Sequence, residues 1–164
     1  MLPRIPFAKD FWAFAKAGKS LGDLHVGYED AEPHESVRVE VRALDMDPNE
    51  TFRVTKMRFA KKDGKTDKTT ILYNKDVRIE GIPMEAYEYV VNGRSPLEWV
   101  LDRYQDKTDK ATKIRNDPNT WSEDPRYIVE LIQKLVTVSL ETVRITNTLP
   151  ALEELGSAGV GMGG

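Results

Sequence analysis

The stretch Phe52-Arg53-Val54-Thr55-Lys56-Met57-Arg58-Phe59-Ala60-Lys61-Lys62-Asp63-Gly64-Lys65-Thr66-Asp67-Lys68-Thr69-Thr70-Ile71-Leu72-Tyr73 decides the fold. Phe52 to Phe59 reads as a strand. Lys61-Lys62-Asp63-Gly64-Lys65 carries the Asp-Gly turn that closes antiparallel hairpins, because both turn residues must adopt positive φ. Thr69 to Tyr73 then returns as the partner strand. A β-hairpin at the centre of the chain sets the class.

Upstream, Val37, Val39 and Val41 alternate with Arg38, Glu40 and Arg42, the period-2 pattern of a half-buried strand. Asp47-Pro48-Asn49-Glu50 is turn chemistry. Downstream, Val77 and Ile79 open a short fourth strand that stops at Gly81-Ile82-Pro83. Helices flank this sheet. The first runs from about Lys9 to Tyr28, with Phe11, Phe14, Ala17, Leu21 and Leu24 on one face and Asp10 as its cap. Two short helices follow the sheet: Pro83 to Val91, ended by Asn92-Gly93, and one begun by the capping box Ser95-Pro96-Leu97-Glu98 and running through Tyr104. Gln105 to Trp121 is polar, with Asn116-Asp117-Pro118-Asn119 as a turn. A long helix begins at Asp124-Pro125 and runs to about Asn147, with Ile128, Leu131, Ile132, Leu135, Val138 and Val143 as its apolar stripe. The expected class is α+β: a small, mostly antiparallel sheet flanked by an N-terminal helix, two short helices and a long C-terminal helix. Residues 153–164 form a glycine-rich tail expected to be mobile, because it holds too little apolar surface to order itself.

Composition narrows function. The chain has 164 residues, 40% hydrophobic and 31% charged, enough for one domain with a real core. No apolar run approaches the roughly 20 residues of a membrane span, and Met1-Leu2-Pro3-Arg4-Ile5-Pro6 lacks the features of a secretory signal. There is no cysteine, which removes disulfides and thiolate chemistry and suits a cytoplasmic setting. The two histidines, His25 and His34, are not spaced as a metal pair. No glycine-rich phosphate loop precedes a helix, and no serine sits in a Gly-x-Ser-x-Gly elbow. The acidic residues Asp45, Asp47, Asp106, Asp109, Asp117, Glu123 and Asp124 have two readings: carboxylates of a magnesium-dependent nuclease, or turn and cap chemistry. Neither a cofactor nor a catalytic constellation is expected from these residues.

The charge is segregated. From Arg53 to Lys68 there are seven cations, Arg53, Lys56, Arg58, Lys61, Lys62, Lys65 and Lys68, against Asp63 and Asp67. That local +5 in a chain of net charge −3 leaves −8 for the remainder. If Met57 and Phe59 pack inward, Lys56 and Arg58 point out beside the turn lysines. A two-stranded ribbon with such cations is able to follow a phosphate backbone or enter a major groove. The same lysines also suit a solvated hairpin whose charges keep its edge from pairing with other chains. Pattern alone leaves both readings open.

Several longer runs are distinctive. Leu2-Pro3-Arg4-Ile5-Pro6-Phe7 leads into Phe11-Trp12-Ala13-Phe14, then Leu24-His25-Val26 and Tyr28-Glu29. Ile79-Glu80-Gly81-Ile82-Pro83 precedes Ala86-Tyr87-Glu88-Tyr89-Val90-Val91-Asn92-Gly93-Arg94-Ser95-Pro96-Leu97-Glu98-Trp99, and Asp102-Arg103-Tyr104-Gln105, Asn116-Asp117-Pro118-Asn119 and Asp124-Pro125-Arg126-Tyr127-Ile128 follow. From Leu2 to about Leu152 the chain resembles the C-terminal specificity region of bacterial type ISP restriction–modification enzymes, often labelled DEAD/DEAH-like helicases. The resemblance implies that residues 1–152 are the C-terminal part of a DNA target-recognition domain. It implies double-stranded DNA and the remaining domains of a parent enzyme as partners, with catalysis elsewhere. It does not say which residues touch bases; within its runs Asn92, Arg94 and Asn116 sit on loops, and Asn92 and Arg94 join the hairpin cations as candidate DNA contacts. An alternative role is a packing module that braces the recognition and methyltransferase parts.

Overall fold

A computed structural model of the chain describes residues 7–8, 10–42, 47–150 and 152–153. In chain order it contains strand β1 (Phe7–Ala8), helix α1 (Phe11–Val26), β2 (Arg38–Val41), the single-turn helix α2 (Pro48–Thr51), β3 (Arg58–Lys62), β4 (Lys65–Leu72), β5 (Val77–Glu80), α3 (Pro96–Arg103), β6 (Lys107–Thr108), β7 (Arg115–Asn116), α4 (Tyr127–Asn147) and β8 (Leu152–Glu153). Short 3-10 turns occupy Tyr28–Asp30, Met84–Tyr87 and Pro118–Thr120. The main sheet has the order β2-β5-β4-β3 and is antiparallel throughout; β1 pairs with β8, and β6 with β7. The expected α+β class holds. The acidic Asp45 and the tail from residue 154 lie outside the described residues, while Glu153 pairs with Phe7 in the β1–β8 ladder.

One face of the sheet meets two helices. Ile71, Tyr73, Val77 and Ile79 are fully buried against Leu97, Val100 and Leu101 of α3 and Ile128, Val129, Ile132 and Val136 of α4. Helix α3 starts where its sequence requires: the Ser95 hydroxyl accepts from the Glu98 amide, and the Glu98 carboxylate accepts from the Ser95 amide at 2.9 Å. On its other side α4 carries α1. Asp10 caps α1 through the Ala13 amide at 2.9 Å. His25 Nε2 lies 2.9 Å from the Thr142 hydroxyl, and its ring stacks on Tyr89. No side chain of α1 is fully buried, and Phe11, expected to face the core, is 66% exposed.

Three segments differ from their sequence reading. The strand expected at Phe52–Phe59 begins only at Arg58. The reason is that side chains hold the backbone groups a strand would give to a neighbour. Tyr73 donates to the Phe52 carbonyl at 2.7 Å, Asn74 Nδ2 donates to the Thr51 and Arg53 carbonyls, and Asn119 bonds both the N–H (2.7 Å) and the C=O (2.9 Å) of Val54. Phe52, Val54 and Met57 still reach the core, from an irregular loop. The helix expected at Pro83–Val91 is a single 3-10 turn. Asn92-Gly93, with φ of +51° and +82°, closes a tight β-turn in which Val91 and Arg94 exchange both backbone bonds, rather than ending a helix. The polar stretch after α3 holds the small β6–β7 hairpin. The long helix starts at Tyr127; Asp124 organises the turn before it, accepting from the Arg126 amide.

Gly81 ends the inner strand β5 and is bonded to the segment before β2. Its φ is +79°, and the Ser36 hydroxyl donates to its carbonyl at 2.9 Å. A Cβ here would lie 2.1 Å from the Ser36 carbonyl oxygen.

Candidate nucleic-acid interface

The β3–β4 hairpin has two parts. Arg58 and Phe59 pair with Leu72 and Ile71, and β4 continues into β5, so this root is part of the sheet. Between Phe59 and Ala60 the register shifts by three residues, leaving Lys68, Thr69 and Thr70 as a bulge in β4. A bulge bends and twists the strand that carries it. Asp67 holds the bulge by accepting from the Thr69 amide (3.0 Å) and hydroxyl (2.6 Å), and these bonds hold its carboxyl below the usual carboxylate range. Beyond it, Ala60–Lys62 and Lys65–Asp67 form a two-stranded ribbon with no third strand. Asp63 and Gly64 turn it at positive φ, as expected.

The bulge sorts the cations. Lys68 is turned into the body: its ammonium meets Glu98 at 2.7 Å and sits over the Tyr87 ring, while Tyr87 donates to its carbonyl. Burial draws the Glu98 carboxyl upward, but the bonds from Lys68 and Ser95 outweigh it and leave it below its ordinary value. Burial pushes the Tyr87 hydroxyl up. Arg53 is likewise paired, 3.3 Å from Asp117 and 3.6 Å from Asp106. By contrast, Lys56, Arg58, Lys61, Lys62 and Lys65 are exposed and have no carboxylate partner among the described residues. Lys61, Lys62 and Lys65 lie on the ribbon, Arg58 at its root in the sheet, and Lys56 in the loop leading into it.

The Asn92-Gly93-Arg94 turn belongs to the same region, since Lys68 and Arg94 flank the Ser95–Glu98 cap. Asn92 and Arg94 are exposed. Arg94 pairs with Asp102 at 3.2 Å and lies over one side of Trp99, with Arg103 also against that ring. Trp99 itself is fixed by its indole N–H, which donates to the Val91 carbonyl at 2.8 Å.

Five of the acidic candidates, Asp47, Asp106, Asp109, Asp117 and Asp124, are used in the fold. Asp47 and Asp117 accept backbone amides at the starts of their turns, Asp109 closes a loop, and Asp106 is held below the usual range chiefly by the Arg115 guanidinium. Among the described residues no group of three His, Asp or Glu is placed to hold a metal ion. No helix of the described residues is long and apolar enough to cross a membrane.

The sequence reading missed Lys107, Lys110 and Lys113 on the β6–β7 hairpin. Their spacing in a polar run was visible, but without a β-branched alternation nothing marked the run as a second hairpin.

Comparisons with known proteins give one consistent answer. A model of the type ISP C-terminal specificity domain matches residues 1–131. The structure of a nuclease-deletion mutant of the type ISP restriction–modification enzyme LlaGI, in complex with a DNA substrate mimic, superposes with a TM-score of 0.80 at 41% identity, covering 93% of this chain and 12% of that one. The ATP-dependent type ISP enzyme LlaBIII, bound to DNA, gives 0.81 at 41% identity over 93% of this chain and 9% of its own. The DrdV–DNA complex gives 0.72 at 30% identity, over 92% and 15%. The chain thus spans about a tenth of the length of these relatives. A search of curated proteins gives no match. With the family model covering most of its length and the same fold in solved type ISP enzymes, this chain belongs to the type ISP C-terminal specificity domain family.

Proposed function

We propose that the chain is the non-catalytic, cytoplasmic DNA-recognition module of a restriction–modification enzyme, and that its β3–β4 ribbon lies against double-stranded DNA. The observation that carries this reading is the ribbon itself. Five cations without ion-pair partners among the described residues, Lys61, Lys62 and Lys65 past the bulge and Lys56 and Arg58 at the root before it, stand on a chain whose remaining sequence is acidic. The two type ISP relatives and DrdV, all solved with DNA or a DNA mimic, support it. Lysine and arginine on phosphates release condensed counterions, so affinity falls with salt by about 0.9 logarithmic units per contact. Binding of a labelled mixed-sequence duplex, measured across a salt series, tests the assignment. Changing Lys56, Arg58, Lys61 and Lys62 together to glutamine is expected to reduce the slope of log affinity against log salt by about 3.6. An unchanged affinity and slope would remove the ribbon from the interface. Arg53, Lys68 and Arg94 are placed by their ion pairs to shape this surface, and Asn92 to present its turn.

A second role is favoured by α1. Phe11, Trp12 and Val26 are 66%, 80% and 88% exposed on a helix whose other side rests on α4. A face of that kind suits packing against the remaining domains of a parent enzyme. Phe11→Ser combined with Trp12→Ser is expected to leave the unfolding free energy of this chain within about 0.5 kcal/mol of the original. Its association with the rest of the enzyme, supplied as a separate polypeptide, is expected to weaken; undiminished association would place the contact elsewhere.

A further inference from the structure

The β6–β7 hairpin, which neither pattern nor resemblance singled out, has the makings of a second arm. Its loop is built around one carboxylate. Asp109 Oδ1 accepts from the Ala111 amide at 3.0 Å, the Thr112 amide at 2.7 Å and the Thr112 hydroxyl at 2.9 Å, and the Asp109 and Ile114 backbones bond at 2.9 Å. These bonds hold its carboxyl below the usual range. The only anion between Lys107 and Arg115 is therefore spent on the loop's own backbone. Of the four cations there, Arg115 is committed to Asp106 and Asp117 at the root. Lys107, Lys110 and Lys113 are exposed and have no ion-pair partner among the described residues.

The apolar residues of this arm face outward as well. Lys113 sits at φ +61°, a conformation that costs an L-residue about 1 kcal/mol or more. The next side chain, Ile114, is 69% exposed. Across an open groove of about 460 Å³ lies Trp121, 49% exposed, its ring edge-on to Tyr104. Arg103 and Lys107 line the same groove, together with Asp102 and Asp109. Protein interfaces are depleted in lysine. Cations beside exposed apolar groups suit a surface that follows a phosphate backbone and meets base edges.

The decisive feature is the root. The Asp106 amide donates to the Thr55 carbonyl at 3.0 Å. Lys56 and Lys107 each follow one residue after that bond, so the two cationic segments start from one point of the body. Arg53, Asp106, Arg115 and Asp117 tie the same point into a four-charge cluster.

We propose that the β6–β7 hairpin is a second DNA contact of this chain. Lys107, Lys110 and Lys113 engage backbone phosphates of the duplex, and Ile114 with Trp121 meets the apolar parts of base edges. The inference rests on the DNA-recognition reading above, and the test separates the two. The measurement is binding of the mixed-sequence duplex by the whole chain across a salt series. Lys107→Gln, Lys110→Gln and Lys113→Gln together are expected to reduce the salt slope by about 2.7. Ile114→Ser is expected to weaken binding severalfold with the slope unchanged, because it removes no charge. Lys16→Gln, Lys19→Gln and Arg144→Gln, an equal loss of charge on α1 and the last turn of α4, are expected to leave the slope unchanged. Thermal unfolding confirms that each variant folds. If the ribbon variant loses affinity while the β6–β7 triple variant keeps both affinity and slope, the second arm is overturned and the first stands, and the hairpin becomes a protein-facing surface. If neither variant changes binding, the DNA-recognition reading falls and takes this inference with it. A slope change in the control triple as large as in the β6–β7 triple also overturns the assignment, since bulk charge then explains the effect.

Discussion

Gly81→Ala is expected to destabilise the fold by about 3–5 kcal/mol, read as a lower urea midpoint at unchanged slope. Two costs combine. An alanine held at φ +79° pays on the order of 1–2 kcal/mol for its backbone conformation. Its methyl group would also lie 2.1 Å from the Ser36 carbonyl oxygen, a backbone atom tied in place by the Ser36–Gly81 hydrogen bond and by the β2–β5 ladder immediately beyond. Relief requires β2 to move away from β5. Gly93→Ala isolates the first cost: φ there is +82°, but nothing lies within 4 Å of the added atom. That variant is expected to lose only about 1–2 kcal/mol. Equal losses at the two glycines would show that crowding at Ser36 contributes nothing.

Asn119→Ala is expected to cost about 2–5 kcal/mol, because it strips two partners from one buried residue. Val54 has no exposed surface, and both its N–H and its C=O end on the Asn119 amide. A buried backbone group left without a partner costs about 1–3 kcal/mol. The effect is expected to be local as well as global: the Val54 amide should lose its protection from hydrogen exchange before the amides of β4 and β5 do. Asn116→Ala is the contrasting case. Asn116 also reaches two backbone carbonyls, those of Arg103 and Gln105, but it is itself exposed, and water is available to replace it. Less than about 1 kcal/mol is expected there. Comparable losses at the two asparagines would contradict the role assigned to Asn119.

The same asparagine shows where the sequence was legible and where it was not. The Asp63-Gly64 turn, the Ser95–Glu98 box, the Asp10 cap and the alternation at Val77 and Ile79 are local signals, and each produced the expected element. Phe52–Met57 has an equally plausible strand composition, yet its backbone is claimed by Tyr73, Asn74 and Asn119, up to 65 residues away. Pattern reading carries no information about such partners. Charge behaves similarly. Of the seven cations counted from Arg53 to Lys68, Arg53 and Lys68 meet carboxylates 64 and 30 residues further along. The β6–β7 arm escaped notice because a single carboxylate, Asp109, closes it in place of hydrophobic alternation. The family resemblance rested on longer runs, such as Tyr89 to Trp99, and that part held throughout.

The bulge at Lys68–Thr70 separates what must be kept from what is free to change. On the body side, Phe59 and Ile71 pack into the core, and Lys68 is bolted to Glu98. On the far side, none of residues 60–67 is buried. Substitutions at residues 60–66 therefore leave the hydrophobic interior untouched, and natural selection is able to rewrite that stretch without first securing compensating changes elsewhere, whereas Asp67, whose carboxylate holds the bulge, stays with the body.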